Sequence, residues 1–493
     1  LYRGVAYVLI LRSDLAALQK RASQVQIINT GYDIHALEKV DLRGVEPLPL
    51  SDELLAELEG YIIEAMEYLG TPGASVAIVQ DGGIAYARGF GVREKGREEP
   101  VGPETLMMIG SSTKSLTTMM MAALVDEGVF DWDTRVVDVL PTFKVADPAV
   151  TERITMRNLV CACSGVPRRD VEWLFNADEL TAEGIIESLA DFEFFTDFGE
   201  AFQYSNQMVA AAGYIAALAA GGQYGHLYEG YLSLMRERVL GPIGMVGSTF
   251  SMDEVLAGAD YATPHGLLLS GEYVPIPLSQ EALLEPLAPA GSLWSNVLDM
   301  GRYLVAELNG GVSPDGRRVV SAENLAVTWE PQIAITAEAS YGLGWVVDEY
   351  KGLRVIHHGG NTNGFTSDLA FLPEVGLGIT VLSNQYGSML NQAVRYRLLE
   401  LLFQQPMEHD RLVRFAVEQI EEALREIDAK VADEVDEAAV QPYLGRYAND
   451  ALGEIILELE DQVLYLDAGE FRVELWPRMD DEGEVAGYRS VTP

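Results

Sequence analysis

Ser111 and Lys114 stand three residues apart in Met108-Ile109-Gly110-Ser111-Ser112-Thr113-Lys114, directly before the apolar helical pattern Leu116–Val125. That spacing is close to one helical turn, so the hydroxyl and the amine share a face. A serine at a helix start sits among free backbone N–H groups and the positive end of the helix dipole, which favour a developing oxyanion. A lysine held beside it and partly desolvated can lose its proton and activate the hydroxyl. Of the seven lysines (20, 39, 95, 114, 144, 351 and 430), only Lys114 has a serine three positions before it. A helix-capping serine is nevertheless the commoner use of such a pair. Taken alone, the spacing specifies little.

Two further clusters could join it. Phe202-Gln203-Tyr204-Ser205-Asn206 precedes the apolar stretch Met208–Ala220. A tyrosine at a helix start near a lysine can shuttle a proton to a leaving group, whereas the plainer use is a core tyrosine followed by a capping residue. Tyr447-Ala448-Asn449 repeats the spacing and carries no expected role. Ile356-His357-His358-Gly359-Gly360-Asn361 is followed by Gly364-Phe365 and a strand-like Ser367–Leu372. Glycines beside a polar residue at a strand end let a substrate backbone approach closely. The histidine doublet does not predict a metal, because the chain has six histidines and no Cys/His cluster accompanies this pair. No Gly-x-Ser-x-Gly elbow competes with Ser111.

The chain has 493 residues, with 75 Asp+Glu against 34 Lys+Arg, a net charge of −41 and a pI near 4.4. Its length predicts two to four domains, and 48% hydrophobic content excludes a disordered acidic tail. The charge argues against nucleic acid and against an anionic membrane surface as partners. Few lysines with a large acidic excess fit a protein kept hydrated at high salt, or equally a GC-rich coding bias. Cys161 and Cys163 stand too close for an ordinary disulfide, so the fold is expected to rest on its core. No apolar run reaches the roughly 20 residues needed to span a bilayer. Met208–Ala220 comes nearest and reads as a buried helix.

These residues need elements to hold them. Residues 1–50 mix a short apolar strand, Ala6–Leu11, with a helical patch, and read as the remnant of an upstream element. Ser51 caps a periodic helix over Asp52–Leu69. Ala74–Gln80 and Ile84–Phe90 around Asp81-Gly82-Gly83 form a hairpin signal. A mostly helical stretch follows, about residues 130–285 and including Ala182–Ala190. Strands return at Tyr341–Val347, Val355–His357, Ser367–Leu372 and Gly378–Leu382, and a helix covers Leu390–Phe403. Strands at both ends with helices between them predict an α/β (α+β) domain over 51–404 holding a helical subdomain, with the ligand site in the cleft. In residues 405–440, Val413, Val417, Ile420, Leu424, Ile427 and Val431 trace an amphipathic helix that either docks a C-terminal module or pairs with another chain, docking being favoured. Residues 441–493 read as a small β-rich module.

Ser-x-x-Lys, Tyr-x-Asn and His-x-Gly, in this order and separation, resemble the serine β-lactamase and penicillin-binding-protein family, in its class C-like branch with esterases and D-aminopeptidases. Supporting stretches are Ile154–Leu159, Ser164-Gly165-Val166-Pro167, Leu240–Met245, Ala288–Leu293 and Tyr341–Trp345, and the likeness covers roughly 52–403. It implies an antiparallel sheet flanked by helices. It further implies Ser111 as the acylated nucleophile, Lys114 and Tyr204 sharing the acid and base roles, and Asn206 bonding Lys114 and the substrate. The N–H groups of Ser111 and Asn361 would form the oxyanion hole. No cofactor is implied.

The family's third motif is Lys-Thr-Gly. Here His358-Gly359-Gly360 stands in its place, with His357-His358-Gly359 the alternative register. Neutral histidine is a weak anion partner and Gly359 has no hydroxyl, so efficient β-lactam turnover is not expected. His-Gly-Gly resembles the D-aminopeptidase branch and some esterases, and members there append barrel-like, lipocalin-like modules, of which 441–493 would be a truncated form. The resemblance therefore implies an esterase or D-amino-acid peptidase/amidase acting on a small ester, amide or D-amino-acid peptide, ahead of a β-lactamase or a non-hydrolysing penicillin-binding sensor. A homo-oligomer is a further expectation.

Overall fold

The computed structural model describes residues 10–31, 39–177, 179–432, 434–449 and 452–491. Residues 6–9 of the expected first strand lie outside them, and the helical patch forms two short helices, Leu15–Lys20 and Ala22–Thr30. Helix α1 spans Asp52–Leu69; Ser51 Oγ accepts the Leu54 N–H at 3.2 Å, and Gly70 ends the helix in the left-handed region. Strands β1 (Gly73–Gln80) and β2 (Gly83–Gly91) pair about Asp81-Gly82, both with positive φ. Such a turn matches the twist of its flanking strands.

Further along come α2 (Thr113–Asp126), α3 (Asn206–Ala219) and α4 (Val297–Leu308). Strands β3 (Val346–Tyr350), β4 (Leu353–Asn361), β5 (Thr366–Leu372) and β6 (Leu377–Ser383) follow, then α5 (Leu390–Leu402) and α6 (His409–Asp428). The antiparallel sheet runs β2-β1-β6-β5-β4-β3, extended by the short segments Ser340–Tyr341 and Ile333–Ala334. The early hairpin thus docks on the last strand, with Ala74 opposite Ser383.

Period-two alternation sends β1 side chains to opposite faces. Val76 and Ile78 pack with α1 and α5 through Leu58, Ile62 and Leu398, whereas Ala77 and Val79 join the core shared with α2, α3 and α4. With both faces covered, β5 and β6 are buried along their whole lengths. The mixed helix and antiparallel-sheet class is the expected one.

The structure corrects several local expectations. Tyr341–Val347 is not one strand: Gly342 and Gly344 lie in a turn between Ser340–Tyr341 and β3. Cys161 and Cys163 are joined in a disulfide with Cα atoms 5.2 Å apart. Ala162 between them takes a positive φ of 51°, which swings the two Cβ atoms to the same side. The spacing rule assumed an extended intervening residue.

Helix α6 anchors at its start, where Val413 is buried against the α1 and α5 core and Asp410 accepts from Tyr61 and Tyr68 at 3.2 and 3.0 Å. It leads into five strands paired in chain order: β7 (Gly445–Asn449), β8 (Gly453–Glu460), β9 (Val463–Asp467), β10 (Arg472–Met479) and β11 (Val485–Ser490). Lys430 O accepts the Met479 N–H at 2.7 Å, tying the end of the connection to β10. Among the described residues no helix is long and apolar enough to cross a membrane.

Candidate active site

Ser111 lies in a single tight turn, Gly110–Ser112, that opens α2, and Gly110 takes a φ of +52°. A side chain at Gly110 would bring its Cβ within 2.8 Å of Asn361 N, so the turn rests directly on the end of β4. Gly360 is tighter still: a Cβ there would lie 1.9 Å from Ile109 O and 2.8 Å from Ser111 N. Gly359 is exposed, and its Cβ would meet only Ser367 O at 3.5 Å, an ordinary contact. Ser112 Oγ and Ser367 Oγ, 2.7 Å apart, and Ser367 Oγ donating to Ile109 O at 2.6 Å stitch the turn to the sheet. The backbone of Ser111 is thereby held beside that of Asn361.

One turn into α2, Lys114 is completely buried. Its Nζ lies 2.8 Å from Ser111 Oγ, 2.8 Å from Asn206 Oδ1 and 2.6 Å from Ala290 O. Burial pushes its pKa well below the ordinary lysine value; Asp170 opposes that shift and Arg168 adds to it. Two of the three partners are fixed acceptors that use two N–H bonds. In the neutral amine the remaining lone pair therefore faces the Ser111 hydroxyl.

Tyr204 precedes α3. Lys114 Nζ lies 4.9 Å from its ring centre, and Ser111 is the neighbour that most lowers the phenol's pKa. Burial raises that pKa, only partly offset by Ser111 and Arg168, so the group stays protonated at neutral pH. Phe202, Tyr341 and His358 pack around it with ring centres 5.6–6.3 Å apart.

Strand alternation decides between the two histidines. His358 faces Tyr204, whereas His357 faces the other side, 3.6 Å from Asp348. His358 is buried, with Nδ1 2.7 Å from Gly359 O and Nε2 3.0 Å from Tyr341 Oη. That pattern fits Nδ1–H donating to the carbonyl and Nε2 accepting from tyrosine. Burial, with the nearby Lys114, lowers its pKa to about 3, so the ring is neutral. It does not line the cavity beside Ser111.

That cavity, about 260 Å³, is bordered by Arg168, Asp170, Asn206 and Asn361. Asp170 Oδ1 accepts from Asn206 Nδ2 at 3.0 Å and from Trp173 Nε1 at 2.9 Å, and its other oxygen pairs with Arg168. Sequence reasoning missed Arg168, Asp170 and Trp173, although the stretch Ser164–Pro167 that it singled out ends one residue earlier. Glu281 was missed as well. It is buried, accepts the Gly364 N–H at 2.8 Å, and is raised by burial to about 7. No local pattern marks it, because its partner lies 83 residues away. Among the described residues, no three His, Cys, Asp or Glu side chains gather into a group that could hold a metal.

The family model described as Beta-lactamase matches residues 58–403. The chain is 25% identical over 447 residues to the unguisins hydrolase ungD' of Aspergillus campestris, covering 84% of this chain and 80% of the relative. It is 27% identical over 319 residues to penicillin-binding protein 4 of Amycolatopsis lactamdurans, covering 64% and 81%. A solved structure, the octameric penicillin-binding protein homologue from Pyrococcus abyssi, superposes with a TM-score of 0.61 at 25% identity over 87% of this chain and 92% of that one.

Proposed function

The chain belongs to the beta-lactamase family of serine hydrolases, and on that premise we propose that it cleaves esters or D-amino-acid amides and peptides through an acyl-enzyme on Ser111. The observation that carries this reading is Lys114, buried, with Asn206 and Ala290 occupying two of its hydrogen-bond directions and Ser111 the third. In the reading, neutral Lys114 takes the Ser111 proton as Oγ attacks the carbonyl carbon. The N–H groups of Ser111 and Asn361 receive the oxyanion. Tyr204 gives its proton to the leaving group and regains one from Lys114, so both return to their starting states. Water then repeats the sequence on the acyl-enzyme.

Two features support an ester, amide or D-amino-acid substrate over a β-lactam. His358 is neutral and bonded to Tyr341, so the third motif offers no cation to a substrate carboxylate. Among the described residues, the one cation bordering the cavity, Arg168, is paired with Asp170. A parallel screen of short-chain esters, D-amino-acid p-nitroanilides and nitrocefin tests the reading. Dominance of either of the first two classes by about a hundredfold, roughly 2.7 kcal/mol of transition-state preference, supports it; nitrocefin dominating overturns it. A non-hydrolysing penicillin-binding role is favoured by the relative of that name. Intact-mass measurement separates the two, since a persistent acyl adduct marks the sensor. The octameric neighbour supports self-association, which light scattering reads directly.

A further inference from the structure

The cavity beside Ser111 has a neighbour at the edge of the catalytic domain. Leu174, Asn363 and Tyr386 border it and also border a second chamber of about 510 Å³. The far wall of that chamber comes from beyond residue 405: Leu424 of α6, Phe471 just before β10, and Val473 within it. Leu267, Leu269 and Leu283 close the near side. The five-stranded sheet is held there by two close approaches. Phe471 meets Phe175 edge to face at 4.9 Å, and a Cβ at Gly453 would come within 2.6 Å of Asn176 Oδ1.

The Ser111 cavity alone is smaller than the usual ligand pocket, whereas the second chamber falls within the ordinary range. The two adjoin on the Asn363 and Leu174 side, where they share wall residues. Tyr204, which gives its proton to the leaving group, borders neither. A mostly apolar extension on this side, with Gln280 and Arg489 also in its wall, therefore receives what stays bound to Ser111.

We propose that the chamber is a subsite for an extended apolar acyl arm, so that the C-terminal sheet and α6 set the acyl-length preference of the Ser111 reaction. This rests on the acyl-enzyme reading above. Burying a methylene there multiplies kcat/KM about fourfold at most. Preference then grows along the acyl series until the chamber is full, and it does not respond to the alcohol.

The test uses the full-length protein and p-nitrophenyl esters from acetate to decanoate, beside acetate esters of phenols carrying alkyl chains of matching length. The quantity read is the octanoate-to-acetate ratio of kcat/KM, in which the concentration of folded enzyme cancels. Wild type should show a ratio above about thirty, with no comparable rise in the alkylphenol series. Val473→Asp places a charge in the chamber, and Leu424→Trp fills it from the helix side; each should lower the ratio at least tenfold. A flat acyl series, a rise following the alcohol instead, or a ratio unmoved in both variants overturns the proposal while fluorophosphonate still labels Ser111. Failure of Ser111 to be labelled in wild type overturns the acyl-enzyme reading itself, and the subsite with it.

Discussion

Asp170 takes the Nδ2–H of Asn206 at 3.0 Å, which leaves Asn206 Oδ1 turned toward Lys114 Nζ at 2.8 Å. The carboxylate thus fixes which end of the amide meets the lysine, and its charge opposes the depression of the lysine pKa. Two substitutions separate these effects. Asp170→Ala should lower kcat/KM about tenfold or more, the scale of one charge-assisted hydrogen bond. Asp170→Asn keeps an acceptor for Asn206 and removes the charge. The Lys114 pKa then falls further, so the acid limb of the pH–rate profile should move to lower pH. A limb that does not move in Asp170→Asn separates the carboxylate from the lysine's titration.

Lys114 as base requires the neutral amine. Activity should therefore rise with pH through the lysine's lowered pKa, and the limb should vanish with the side chain. Lys114→Ala should cost several orders of magnitude in kcat/KM. Lys114→Arg should be about as damaging, since a guanidinium does not deprotonate in this range. Steady-state rates on p-nitrophenyl acetate with Ser111→Ala as the blank give the comparison. Lys114→Arg near wild type would exclude a proton-accepting role.

Adjacent glycines should behave differently. Gly360→Ala drives a Cβ onto Ile109 O and Ser111 N, both backbone atoms that cannot swing aside. Loss of Ser111 labelling or failure to fold is the expected result. Gly359→Ala meets only an ordinary contact and should fold with wild-type stability. Thermal melts of the pair against wild type decide it.

His358 makes the fold acid-sensitive. Its pKa is about 3 in the folded protein against 6.5 unfolded, so between those values only the unfolded chain binds the proton. The stability it contributes is complete above about pH 6.5 and is lost as pH falls toward 3, at about 1.4 kcal/mol per unit. Urea unfolding of wild type should weaken by about 2 kcal/mol between pH 6.5 and 5 from this group alone. His358→Gln, which keeps a polar partner for Tyr341 without a titrating ring, should remove that share of the slope.

Several parts of this molecule are legible in its amino acids because they depend on neighbours in the chain. Ser111 and Lys114 meet because three residues make nearly one helical turn, whatever surrounds them. Asp52–Leu69, the Asp81-Gly82 hairpin and the helix after Gln405 follow from the same short-range periodicity and turn chemistry. Glycines around 359–360 signal a close approach, though not which of the two is indispensable.

Other properties arise only when distant segments are brought together. Burial of Lys114 is produced by Asn206 and Ala290, 92 and 176 residues away, and that desolvation is what pulls its pKa down. Asp170 becomes a partner of Asn206 only across 36 residues of chain. The register of β4 against β5 decides that His358, and not His357, faces Tyr204. A positive φ at Ala162 closes a disulfide that spacing alone argued against. The sheet after residue 441 looks like an appendage in sequence, yet packing places Phe471 and Val473 in a chamber that adjoins the Ser111 cavity. Residue spacing sets local geometry through fixed bond lengths and helical pitch, while desolvation, charge pairing and cavity shape depend on which surfaces the folded chain removes from water.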